Sequence, residues 1–175
     1  MSAFAPHVSH PATSAFVEDL GDRLLRMYPA QVRVCLDELS EEQIWWRPSA
    51  SANAVGNLVL HLGGNLRHYL GRGVIATGFL RDRAAEFAAQ SPLPRAELVE
   101  NLGGALEAAR LALASLTDAR LLEEAELGPE SQPIASLLVA VTSHFSGHAG
   151  QIVYYTKMMR EGVFADGLWR RIGDR

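Results

Sequence analysis

Between Pro133 and Gly162 the chain carries one long stretch of helical periodicity, and its second half, SHFSGHAGQIVYYTKMM (143–159), sets His144 and His148 four residues apart. On a helix that spacing stacks both imidazoles on one face, close enough to share a metal ion. Leu137, Val141, His144, His148, Gln151, Tyr155 and Met158 follow one another at alternating intervals of four and three. Leu138, Phe145, Ile152 and Met159 run alongside at sevens, so the pattern predicts a core-facing seam with both histidines and Gln151 inside it. Polar groups in such a seam need partners. Those partners are either groups on a neighbouring helix or a metal, and a third ligand elsewhere in the chain decides for the metal.

The rest of the chain supplies three more helical stretches. Phe16, Leu20, Leu24, Met27, Gln31, Val34 and Leu39 predict a first helix over about 13–39, kinked or interrupted at Pro29. Ser40 to Gln43 has the form of a capping box opening a short helix that stops at Arg47, before Pro48. Its Trp45 and Trp46 read as a plug for one end of the core, and Arg47 as a surface ion pair or a contact to an anionic group. Asn53 is placed to cap a second helix over about 54–74, with Val55, Leu58, Leu62, Leu66 and Tyr69 as its apolar stripe. Asn57, His61, Asn65 and His68 border that stripe, and His61 lies nearest its centre line. His68 stands about 10 Å further along the axis, so at most one of the two histidines can join a shared site. The Gly63-Gly64 pair lowers helix propensity but permits close approach of a neighbouring backbone.

Residues 76–94 read as a long crossover with a short helix near 81–89, in which RDRAAEF is a charged, solvated turn. A third helix over about 94–116 carries Leu98, Leu102, Ala105, Leu106, Ala109, Leu113 and Leu116 with no polar ligand among them. Glu123, Glu124, Glu126 and Glu130 form an acidic loop, solvated or able to lend a fourth carboxylate ligand. The architecture expected is all-α, one domain over 1–175, with residues 1–12 a flexible leader and 163–175 a tail whose Trp169 folds onto the bundle or a partner subunit. His7 and His10 belong to the leader.

Several function classes are excluded by composition. Of sixteen basic residues only Lys157 is a lysine, the arginines are scattered, and the net charge is −4, which is no nucleic-acid footprint. No apolar run approaches the length of a membrane span, and the N-terminus has no secretory signal, so a cytoplasmic location is expected. The single cysteine, Cys35, excludes an intramolecular disulfide and reads as a small packed side chain.

His61 from the second helix and His144 plus His148 from the last give three neutral imidazoles, the ligand set of a catalytic rather than a closed structural metal site. Zinc, nickel, manganese and ferrous iron would all accept such a set and the ligand list alone does not decide among them; zinc or nickel is the expectation adopted, with manganese or iron behind. Gln151 lies one turn beyond His148, and Asn57 and Asn65 each one turn from His61, where amides can orient imidazoles or bind a substrate oxygen. Tyr155, a further turn along the seam, is a candidate proton donor beside Gln151.

LSEEQIWWRP, SANAVGNLVLHLGGNLRHYL, the RDR-A-EF stretch and HFSGHAGQIVYYTKMM together resemble the DinB/YfiT-like superfamily of four-helix-bundle metalloproteins. The resemblance spans most of 13–162. It implies a bundle with one long crossover between helices two and three, metal ligands at His61, His144 and His148, and a homodimer. Some members use low-molecular-weight thiols, so it also implies a small-molecule substrate and an S-transferase or hydrolase. The alternative is a non-catalytic metal-binding or ligand-sensing dimer, and the least favoured reading is a metal-free helical interaction protein.

Overall fold

The computed structural model describes residues 7–89 and 93–173. The protein is all-α: among the described residues the only extended pairings are isolated bridges, His7 with Thr117 and Glu124 with Pro133. Helix α1 (Pro11–Asp22) leads through a π-turn (Arg23–Met27) into α2 (Tyr28–Glu38). Pro29 cannot donate to the preceding turn, and the π-turn just before it absorbs the defect: the Tyr28 amide bonds the Arg23 carbonyl and the helix continues. The Ser40 capping box forms at α3 (Glu41–Trp45), with both reciprocal bonds to Gln43 in place.

The next helix, α4 (Val55–Leu66), runs through a second π-turn (Arg67–Arg72) into α5 (Gly73–Ile75), and Ala76 ends it in the left-handed conformation. Its cap differs from the expected Asn53. Ala54 is the capping residue, and the Asn57 side chain reaches back to accept its amide at 3.1 Å. The one-sided stripe expected here also gives way. Every residue of α4 except Leu60 is buried, because α3, α6 (Arg83–Ala88), α7 (Arg95–Ala114) and α8 (Ile134–Met159) all pack against it. A helix enclosed on all sides has no wet face, so Asn57, His61 and Asn65 lie in the interior rather than on its border.

The four long helical stretches pair as α4 on α7 and α2 on α8, around one core that contains Leu24, Leu36, Leu62, Leu113 and Phe145. Cys35 is part of that core, and burial pushes its thiol up to about 11. The leader is tied down from His7 onward: the His7 amide bonds Leu116 at 2.9 Å, and both the amide and hydroxyl of Ser9 bond Asp118. Residues 1–6 of the expected leader lie outside the described residues. At the other end α9 (Leu168–Gly173) folds back onto α2 and pairs Arg171 with Glu38, although Trp169 itself stays exposed. Among the described residues no helix is long and apolar enough to cross a membrane.

Candidate metal centre

On α8 the expected seam turns outward. Leu137 and Val141 are buried, His144 and His148 are half-buried, and Gln151 and Met158 are exposed. Positions repeating every seven residues fall about 20° behind per heptad on a straight helix of 3.6 residues per turn, so the line through 137, 144, 151 and 158 rotates out of the core. The buried line passes instead through Leu138, Phe145, Ala149, Ile152 and Thr156. This rotation leaves the two histidines at the rim, where α8 faces α4.

There they meet His61. The ring centroids of His61, His144 and His148 stand 4.9, 5.0 and 4.5 Å apart in pairs, and one ligand atom from each lies within 4.8 Å of the others. The Nε2 atoms of His61 and His144 approach to 3.0 Å. Two imidazole nitrogens on one tetrahedral ion, with bonds near 2.05 Å, stand about 3.3 Å apart, so this spacing needs little adjustment to accept a cation. The fit extends to the protonation of the rings. His61 Nδ1 lies 2.8 Å from Glu86 Oε2, so Nδ1–H donates to the carboxylate and Nε2 keeps its lone pair. His148 does the same with Gln151 Oε1 at 2.9 Å. His144 Nδ1 is buried without a partner. Burial, then the neighbouring His148 and His61, push His144 down to about 4; burial also lowers His148, against its bond to Gln151. Both are thus neutral near pH 7, as ligation requires.

Glu86 comes from the stretch expected to be a solvated turn. RDRAAEF is folded onto α4: the side chains of Arg81 and Glu86 are each only 9% exposed, and Arg81 grips the carboxylate from Nε at 2.7 Å and from Nη2 at 2.8 Å. Burial by itself would raise the Glu86 pKa, but the bonds from His61 and Arg81 outweigh it and hold the carboxyl below its usual range. Arg81 Nη2 also stands 3.0 Å from His61 Nδ1. Since both atoms carry hydrogens, that approach is a consequence of sharing Glu86 rather than a bond. Gly64 makes room for this group, for a Cβ there would lie 1.9 Å from Glu86 Oε1. The glycine pair therefore admits side chains, Glu86 at Gly64 and Asn101 at Gly63, where a neighbouring backbone was expected.

The amides divide by role. Asn57 does not touch His61; it donates to the carbonyls of Glu86 (3.0 Å) and Ala89 (3.1 Å) and accepts from Arg47, so it fastens α6 over the site. Arg47 joins that clasp through the Phe87 and Ala89 carbonyls, which corrects its reading as a surface ion pair. Asn65 lines a cavity of about 480 Å³ that opens beside His61 and His144. Tyr155 does not face that space. Seven residues from His148, about 10 Å along the helix, it lines a second cavity of about 750 Å³ with Gln151 and Tyr154. His68 is likewise outside the cluster, 3.7 Å from Glu130, which accepts the Tyr69 hydroxyl at 2.9 Å. Among the described residues no carboxylate joins the three histidines as a further ligand.

The fold and the site together define an all-α protein with a three-histidine cluster able to hold a metal ion. The sequence profile of a family described as "protein of unknown function" (DUF1572) matches residues 12–166, and the chain belongs to that family. A search of curated proteins gives no match.

Proposed function

We propose that the chain is a four-helix-bundle metalloprotein of the DinB/YfiT type, in which His61, His144 and His148 hold one divalent transition metal, zinc or nickel before manganese or iron. The observation that carries this reading is the convergence of three imidazoles, two of which are held with Nδ1 hydrogen-bonded away from the centre, by Glu86 at His61 and by Gln151 at His148. Hydrogen-bonded imidazoles of this kind are the arrangement that fixes tautomer and raises ligand basicity. A divalent cation bound there would deprotonate a thiol, or lower the pKa of a water, at neutral pH.

Three protein ligands leave a position for such a molecule, and the cavity beside His61 and His144 is where it would enter. The proposed activity is metal-dependent S-transfer or hydrolysis on a small molecule, with a low-molecular-weight thiol as the leading candidate. Glu86 and Gln151 act by holding the imidazoles, and Asn57 by holding the helix that carries Glu86. A cytoplasmic homodimer belongs to the same proposal; Val139, Tyr154 and Met158, exposed on α8, are the apolar side chains a second copy would cover.

Elemental analysis of protein purified without an affinity tag or added metal tests the reading, comparing the native chain with His61→Ala and His148→Ala. Near-stoichiometric metal in the native protein, abolished by either substitution, is the expected result. No metal in the native chain and none taken up on titration would leave a helical protein without this chemistry.

A further inference from the structure

The wall of the cavity beside the histidines carries three ionic side chains besides them, and two are already committed. Arg81 spends its charge on Glu86, and Glu130 accepts the Tyr69 hydroxyl. Arg83 is different. Its guanidinium lies over the Phe87 ring, 5.1 Å from the centroid, and none of the ion pairs among the described residues uses it. The Phe87 ring in turn stands 4.7 Å from that of His61, so the guanidinium is no more than about 10 Å from the centre of the His61 ring. Leu137, Ala140 and Val141 give the same cavity an apolar part of its lining, beside Asn65, Tyr69 and Gln132.

A cavity with a soft-donor site at one side, a partly apolar wall and one uncommitted cation suits a ligand of matching pattern. We infer that Arg83 is a specificity residue that pairs with a carboxylate on the substrate, so that the site prefers short carboxylate-bearing thiols over neutral or cationic ones. This rests on the three-histidine metal reading above. The guanidinium presents a planar donor fork that matches a carboxylate, and its stacking on Phe87 preorganises it for that contact. Glu130 on the same wall works against an anion placed near it, which leaves the Arg83 side as the position for the carboxylate.

The test uses the full chain loaded with cobalt(II), whose visible spectrum reports first the ion and then thiolate bound to it. Mercaptoacetate, mercaptoethanol and cysteamine are titrated against the native protein, Arg83→Gln and Arg83→Lys. The native protein is expected to bind mercaptoacetate about tenfold or more tightly than mercaptoethanol, with cysteamine weakest. Arg83→Gln should remove that advantage while leaving mercaptoethanol affinity unchanged, and Arg83→Lys should retain most of it. An advantage that survives in Arg83→Gln would mean that the carboxylate chelates the ion itself, and equal affinities in the native protein would mean that there is no anion subsite; either overturns the inference with the metal site intact. Failure of the protein to take up cobalt refutes the metal reading, and the inference falls with it.

Discussion

Gly64→Ala sets two opposed effects against each other at one atom. In an ordinary helix interior the change stabilises, because alanine exceeds glycine in helix propensity by about 1 kcal/mol. Here the new Cβ would lie 1.9 Å from Glu86 Oε1 and 3.3 Å from Arg81 Nε. To restore normal contact the carboxylate has to withdraw by about 1.5 Å, which the 2.8 Å bond to His61 cannot follow while α4 is wedged between α7 and α8. Breaking a buried, hydrogen-bonded ion pair costs about 3–5 kcal/mol. The net expectation is a loss of about 2–4 kcal/mol, or a midpoint lowered by roughly 5–15 °C for a chain of this size. Gly147→Ala supplies the control, since a Cβ there meets nothing within 4 Å; it should stabilise by about 0.5–1 kcal/mol. Thermal and urea unfolding followed by circular dichroism reads both. In a Glu86→Ala background the Gly64→Ala penalty should vanish, because the atom it strikes is gone. A Gly64→Ala protein as stable as the parent, or a penalty undiminished without Glu86, would refute the packing of α6 over the site.

Two further outcomes follow from the hydrogen bonds around the histidines. Gln151→Ala frees His148 Nδ1, so metal affinity measured by chelator competition should fall by about 10–100-fold; an unchanged affinity would show that packing alone orients the ring. Glu86 is held below its ordinary value of 4.5, so the stability its carboxylate confers is complete above that pH and lost as the pH falls through the lowered folded value. The stability difference between the native protein and Glu86→Gln should therefore shrink on acidification below about pH 4.5, and a difference that stays constant down to about pH 3 would contradict the assignment.

The parts of this protein that periodicity governs were legible in its sequence. The long helices lie where the apolar spacing puts them, and the capping box at Ser40 forms as written. The three histidines converge because two helix faces had to meet, and the four-residue interval between His144 and His148 survives any small rotation of α8. What periodicity could not show was the covering of α4. A charged run such as RDRAAEF reads as solvated because local composition carries no information about a partner 20 or more residues away in the chain. Asp82 to Ala85 are indeed exposed, but the burial of Arg81 and Glu86 depends on His61 needing an acceptor, Arg81 needing a carboxylate and Gly64 leaving space, a three-way match visible only once the elements are assembled. The glycine was the available signal: mid-helix, beside a histidine, it marks close approach, although not by what. Tyr155 keeps the face of His148 but stands two turns further along α8, so same-face spacing alone did not show that it lies beside the second cavity rather than the first.

The most direct test of the central claim is X-ray absorption at the metal edge of untagged protein carrying its native ion. Three imidazole nitrogens at about 2.0–2.1 Å plus one exchangeable light donor, replaced by sulfur at about 2.3 Å when a thiol is added, is the result this structure calls for. A shell closed by four protein donors and unmoved by thiol, or one that stays intact in His61→Ala, would contradict an open three-histidine centre.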